Sequence, residues 1–265
     1  MPNNILNKII NNKKKKLNEL KKTVSIELLD EFIKTKDNIH YYDFKEKIEK
    51  NILNNKISLV AEIKKASPSA GIIVPNYNPV DLAKIYLDNK ATCLSVLTEE
   101  DFFLGDVTHM LKIKEKINLP ILCKDFFIDP FQVHQAKSYG ADAILIIIAA
   151  VNESMANKLY EEALKLDMSV IIEVHSKQEA ESSINFEDAI IGINNRNLKT
   201  LEININTTYD IHDVLVKHKA PLISESGIKT KDELLKIVKN TKIKTFLIGE
   251  SLLKNYKNNP IFSVL

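Results

Sequence analysis

"APLISESGIKTKDELLKIVKN", Ala220 to Asn240, holds a complete structural unit in one line. Leu222 and Ile223 open an apolar run, Ser224, Glu225, Ser226 and Gly227 turn it polar, and from Lys231 the apolar residues recur with helical period. The unit reads as a buried strand, a polar turn and a helix. The same rhythm repeats after about residue 57, in the apolar runs "ISLVAEI", "ATCLSVL", "LPILCK", "ADAILIII", "MSVIIEV", "AIIGIN", "APLISES" and "KTFLIG". Between them lie predicted helices such as "PVDLAKIYLDN" from Pro79, where Pro and Asp suit a helix start. Strands separated by helices pair in parallel through right-handed crossovers. Eight such units predict the α/β class and a closed (β/α)8 TIM barrel. An open doubly wound sheet competes, but no Gly-rich dinucleotide turn follows any strand, and the chain has only six glycines.

The segment before the first strand is mostly helical in pattern, with "SIELLDEFIK" from Ser25 as a second helix. Its apolar positions are too few for an independent core, so residues 1–265 are expected to form a single (β/α)8-barrel domain in which 1–56 is an N-terminal helical extension packed on the barrel. Lys13 to Lys16 lie between apolar residues at helical spacing and read as the solvated face of an amphipathic helix, not as a nucleic-acid arm. With 37 Lys plus Arg against 35 Asp plus Glu, the formal net charge of +2 gives no reason to expect a nucleic-acid or anionic-membrane partner. Cys93 and Cys123 lack zinc-site or disulfide spacing, and neither a secretory signal nor a membrane-length apolar run occurs. A cytoplasmic location follows as the expectation.

Strand carboxyl ends face a shared site in such a barrel. There the sequence places Glu62 and Lys64, two apart and so on one side of the strand, then Ser67, Pro68 and Ser69 in a loop. Lys124 ends the third run, Glu173 the fifth, Asn194, Asn195 and Arg196 the sixth, Glu225, Ser226 and Gly227 the seventh, and Gly249, Glu250 and Ser251 the eighth. Any one could be a structural ion pair. Charges at the ends of five strands are costly to bury unless they pair around a polar pocket. Ser226 and Gly227 precede one helix and Gly249 another, so their backbone N–H groups are expected to converge on an anion beside helix N-termini.

Together, "AEIKKASPSAG", "LTEEDFFLG", "LCKDFFIDPFQV", "GADAILIIIAA", "IIEVH", "GINNRNLKTLEI", "SESGI" and "FLIGESLL" resemble the indole-3-glycerol phosphate synthase family of tryptophan biosynthesis, over essentially the whole chain. That resemblance implies conversion of 1-(2-carboxyphenylamino)-1-deoxyribulose 5-phosphate to indole-3-glycerol phosphate with release of carbon dioxide and water, with no metal or organic cofactor. It implies Lys124 as general acid for ring closure and Glu173 as proton carrier in the dehydration. Lys64 would hold an anionic substrate group, and the division of the acid role between it and Lys124 stays open. Glu62 and Asn194 would meet the sugar hydroxyls and reacting centre, with Arg196 and Glu225 in the same charged network. Ser226, Gly227, Gly249 and Glu250 would bind phosphate, Glu250 through its backbone N–H. Phe103, Phe126 and Leu145 would bury the anthranilate ring, and Ser67 would sit in a mobile first loop. The expected partner is this phosphosugar-anthranilate substrate alone, with a monomer that associates at most weakly with other tryptophan-pathway enzymes. His40, His109, His134, His212 and His218 read as loop or helix-surface residues, whereas His175, two residues beyond Glu173, is the one histidine near a predicted strand end and is expected more often to be structural than to touch the site. Two alternatives remain: a phosphoribosylanthranilate isomerase, which would use a Cys and Asp pair, and a catalytically inactive barrel serving as a binding subunit.

Overall fold

The computed structural model describes residues 5–35 and 39–265, so residues 1–4 and 36–38 of the expected extension lie outside the described residues. Each of the eight apolar runs contains a strand: β1 (Ser58–Ile63), β2 (Cys93–Leu97), β3 (Ile121–Lys124), β4 (Ala143–Ile147), β5 (Ser169–Val174), β6 (Ile190–Asn194), β7 (Leu222–Glu225) and β8 (Thr245–Ile248). All pair in parallel with their sequence neighbours, and β8 closes on β1. These strands are buried on both faces, which is why they read as near-continuous apolar runs. Residues such as Leu59, Val96 and Ile144 pack outward against the helices, while Val60, Cys93, Leu122, Leu145, Ile171 and Ile223 fill the interior.

The first three helices are α1 (Ile5–Leu20), α2 (Ile26–Thr35) and α3 (Phe44–Leu53). Phe44 and Ile48 of α3 are fully buried with the interior cluster, and Asn51 donates to the hydroxyls of Ser58 and Thr92 where strands begin. Thus α3 plugs the amino-terminal mouth. Beneath it, Asp142 accepts from Lys114 Nζ at 2.6 Å and from the backbone of Tyr42 and Ile121, each at 2.7 Å. Leu6 and Ile9 of α1 join the cluster holding Phe126 and Leu145, so α1 covers the carboxyl-terminal side.

The outer helices are α4 (Pro79–Asp88), α5 (Glu100–Phe103), α6 (Thr108–Lys114), α7 (Phe131–Ser138), α8 (Glu153–Lys165), α9 (Lys177–Ser183), α10 (Asn206–Leu215), α11 (Lys231–Thr241) and α12 (Glu250–Leu253). Asn78 caps α4 with its side chain, and Pro79 follows at its first position. Among the described residues no helix is long and apolar enough to cross a membrane.

Strand register brings the charged strand ends to one height. Glu62 aligns with Ser95 on β2 and, through it, with Leu122 on β3. Because barrel strands tilt, the side chain level with Glu62 lies two residues farther along β3, at Lys124. The same step leads to Glu173 on β5, to Glu225 on β7 and back to Glu62. Four steps of two residues make the shear of eight expected for this barrel, and alternate strands supply one layer of four side chains. In this protein that layer contains three carboxylates and one lysine.

Candidate active site

A cavity of about 390 Å³ opens at the carboxyl-terminal mouth, above this layer. Lining it are Glu62, Lys64, Phe103, Lys124, Phe126, Leu145, Glu173, Asn194, Arg196, Glu225, Ser226, Gly227, Gly249 and Glu250, all singled out in the sequence. Ser67 lies instead in an adjoining cavity of about 80 Å³ between α1 and the first loop, which shares Lys64, Phe103, Phe126 and Arg196 with the larger one. The first loop is not irregular throughout: Ala66–Ser67 pairs antiparallel with Gly71–Ile72, and the Ser67 hydroxyl accepts from Ala70 N–H at 3.2 Å.

Lys124 occupies the centre of the layer, Nζ donating to Glu173 Oε2 at 2.8 Å and Glu225 Oε2 at 2.7 Å. Burial pulls this ammonium down, but Glu173, Glu225 and Glu62 together outweigh it and hold Lys124 above the usual lysine range. The two carboxylates diverge. Burial raises both, yet Lys124 and His175 more than compensate at Glu173 and hold it below the usual carboxylate range. At Glu225 burial prevails over Lys124, assisted by repulsion from Glu173 and Glu62, and pushes it up. Two carboxylates with opposed shifts around one cation are a proton-transfer arrangement. Lys64 pairs with Glu62 beside them.

Gly249 and the first turn of α12 line the cavity, and α12 carries no side-chain cap. By contrast, α11 begins only at Lys231, and its Thr230–Glu233 capping box spends the N–H groups of Lys229, Thr230 and Glu233 internally. The expectation that Ser226 and Gly227 sit at an open helix end is therefore corrected: they form a separate turn. Both have positive φ, +66° and +83°. A Cβ on Gly227 would also meet Ile203 Cγ2 at 2.5 Å, so the position requires glycine twice over. Asn195 fixes this turn, its Nδ2 donating to the carbonyls of Glu225 and Ser226 at 3.0 Å while its Oδ1 accepts from Thr208. Arg196 lies within 3.6 Å of the Glu250 carboxylate and donates to Leu201 O and Ser69 Oγ, joining the first, sixth and eighth loops.

The opposite wall is apolar. Phe103 and Phe126 pack with ring centroids 6.4 Å apart, and Phe126 is buried among Leu145, Ile147, Leu6 and Ile9. Lys13 departs from the solvated reading of the lysine run, its side chain only 12% exposed, whereas Lys16 keeps to it and still forms ion pairs. Lys13 pairs with Asp125 at 2.8 Å, and Lys16 with Glu100 at 2.6 Å and Asp101 at 2.7 Å. They tether α1 to α5, which carries Phe103, and to the segment after β3 that carries Phe126, while Lys14, Lys15 and Lys16 are all exposed.

One histidine also departs from the surface reading. His134 is buried between Asp30 and Glu162, joining α7 to α2 and α8. His175 stands behind Glu173, Nε2 3.1 Å from Oε1. The parity that linked Glu62 with Lys64 also links Glu173 with His175, and that signal was present in the sequence. Gly192 carries no such signal in the sequence: the Glu225 carboxylate lies where its side chain would be. Cys93 packs against Phe44 at the far end of the barrel and Cys123 in the outer core, so neither supplies the cysteine an isomerase reading requires. Among the described residues no group of three His, Cys, Asp or Glu is placed to hold a metal ion.

Similarity to known proteins points the same way. Two solved structures share the barrel. One is the tryptophan synthase alpha subunit of Legionella pneumophila, at 14% identity and TM-score 0.58 over 85% of this chain and 94% of that one. The other is a monomeric form of the phosphoribosylanthranilate isomerase of Thermotoga maritima, at 10% identity and TM-score 0.52 over 78% and 94%. At those identities they share the fold and no more. Sequence similarity is much stronger to indole-3-glycerol phosphate synthases. The relative from Alkaliphilus metalliredigens is 40% identical over 94% of this chain and 93% of its own. The one from Zymomonas mobilis is 38% identical over 95% and 94%. The family model for indole-3-glycerol phosphate synthase matches residues 6–262, every barrel strand and every residue lining the larger cavity included. With a barrel whose charged layer carries Lys124 between Glu173 and Glu225, and relatives of this identity along its length, the chain belongs to the indole-3-glycerol phosphate synthase family.

Proposed function

We propose that the protein converts 1-(2-carboxyphenylamino)-1-deoxyribulose 5-phosphate to indole-3-glycerol phosphate, carbon dioxide and water. The observation that carries the mechanism is the Lys124 ammonium held between Glu173 and Glu225 on the cavity floor, beside an apolar wall and the turn of Ser226 and Gly227. The phosphate docks at Ser226, Gly227, Gly249 and the first turn of α12, and the anthranilate ring lies against Phe103, Phe126 and Leu145. Lys64 meets an anionic group of the substrate, and Glu62 and Asn194 face the sugar hydroxyls.

Ring closure forms a bond between the carboxylate-bearing ring carbon and the ketone carbon, and Lys124 gives its proton to the ketone oxygen. Breaking the carbon–carboxylate bond returns an electron pair to the ring and releases carbon dioxide. The new hydroxyl then leaves as water while the adjacent carbon loses a proton, with Glu173 moving the proton. A lysine held protonated by two carboxylates is a reserve of acid.

We further read the chain as one domain acting as a monomer in the cytoplasm. Two buried, unbridged cysteines support the location. Product analysis tests the reaction: purified protein given the carboxyl-labelled substrate in the presence of a chelator should release labelled carbon dioxide and form an indole in equal amounts. An isomerised product that retains its label would refute it.

A further inference from the structure

His175 follows β5 by one residue and shares the inward parity of Glu173, yet it does not line the cavity. Its side chain is 11% exposed. Nε2 lies 3.1 Å from Glu173 Oε1, without hydrogen-bond alignment, and Nδ1 lies 3.3 Å from Glu179 Oε2 on α9. The backbone N–H of His175 donates to the same Glu179 oxygen at 2.8 Å. An imidazole facing a carboxylate at each nitrogen carries a proton toward both only as imidazolium.

Charge balance gives that proton a purpose. The buried carboxylates of Glu62, Glu173 and Glu225 face two lysines, Lys64 and Lys124. If Lys124 gives up its proton, Glu173 and Glu225 lose their shared cation in a buried layer, which is costly. A cation behind Glu173 removes part of that cost. We propose that His175 is a positioning residue for the reaction, an imidazolium that keeps Glu173 ionised from behind so that Lys124 can release its proton to the substrate. This role rests on the reaction proposed above.

The charged groups facing the ring are Glu173 from β5 and Glu179 from α9. The short 3-10 turn Ile148–Ala150, which packs on β5 and α9, brings no titratable side chain, and β6 at this register brings Asn194. Burial pulls His175 down, but the two glutamates outweigh it and push it up to about 9.

The test measures kcat and KM against pH for the wild type, Glu179→Gln and His175→Gln, together with the ring ¹⁵N shifts of His175 in the full-length protein, assigned by their displacement in Glu179→Gln. The wild type should lose kcat in an alkaline limb near pH 9. Glu179→Gln should move that limb toward neutrality by about one pH unit, the scale of one lost charge partner. His175→Gln should abolish the limb and lower the kcat plateau about tenfold, within the range for removal of an outer partner of a reacting group. KM should hold within about twofold, because the ring does not line the cavity. Variants that fold and retain both the wild-type limb and kcat would overturn the proposal. So would ring shifts showing His175 neutral at pH 7, a result that needs no His175 variant to fold. A wild type that forms no indole would overturn the reaction itself and with it this role, whereas a neutral ring in an active enzyme would overturn the role alone.

Discussion

Gly192 allows the charged layer to be perturbed without touching a charged residue. It sits on the inner face of β6, and a Cβ there would overlap Glu225 Oε1, with Ile171 Cγ2 at 3.1 Å and Glu225 Cδ at 3.2 Å. In Gly192→Ala the Glu225 carboxylate must retreat by on the order of 1 Å to restore van der Waals contact. At an effective dielectric of about 20, lengthening its 2.7 Å contact with Lys124 by that amount weakens the attraction by about 1.7 kcal/mol. That corresponds to roughly a fifteenfold change in rate if the coupling is expressed in the transition state. Folding stability should fall by only about 1 kcal/mol, since the group that moves is the end of a flexible side chain. Steady-state kinetics in wild-type and Glu225→Ala backgrounds decide the matter. Gly192→Ala should lower kcat in the first and change nothing further in the second, where the carboxylate it displaces is gone. Additive effects in the two backgrounds would refute the reasoning.

Lys124→Ala should lower kcat by about a thousandfold or more, the scale of losing a positioned acid, while a non-reacting substrate analogue binds within about threefold of wild type in calorimetry. Gly227→Val forces a branched residue into φ +83° against Ile203 and should weaken the same analogue at least tenfold. Equal binding loss in these two variants would contradict the separation of acid and phosphate sites. Asp142→Ala leaves Lys114 buried without its partner and frees the N–H groups of Tyr42 and Ile121; chemical denaturation should show a loss of about 3–5 kcal/mol. The folded pKa of His175 is raised, so its contribution to stability is complete below the unfolded value of about 6.5 and is lost as pH rises through about 9. Denaturation midpoints should therefore decline across that window more steeply in wild type than in His175→Gln.

The barrel was legible because fully buried parallel strands announce themselves as apolar runs, and helix starts such as Asn78–Pro79 carry their own caps. The cavity residues were legible because parity and strand ends define where to look. Other features depend on contacts that no local pattern carries. Lys13 meets Asp125 across 112 residues of chain, so a lysine run with amphipathic spacing looked solvated. The reason for Gly192 lies in a side chain of the next strand. His134 sits on a helix whose outer side is covered by α2, an element of the extension, and so its burial was invisible in its own periodicity. The capping box of α11 and the parity of His175 were both readable.

The most direct test of the central claim is fluorescence of the indole product when protein meets substrate, with Lys124→Ala in parallel. The chain contains no tryptophan, so an indole signal is not masked by the protein's own emission. The signal should rise with wild type and stay at background with the variant. A folded wild type that produces no indole, or a variant that produces it as fast, would contradict it.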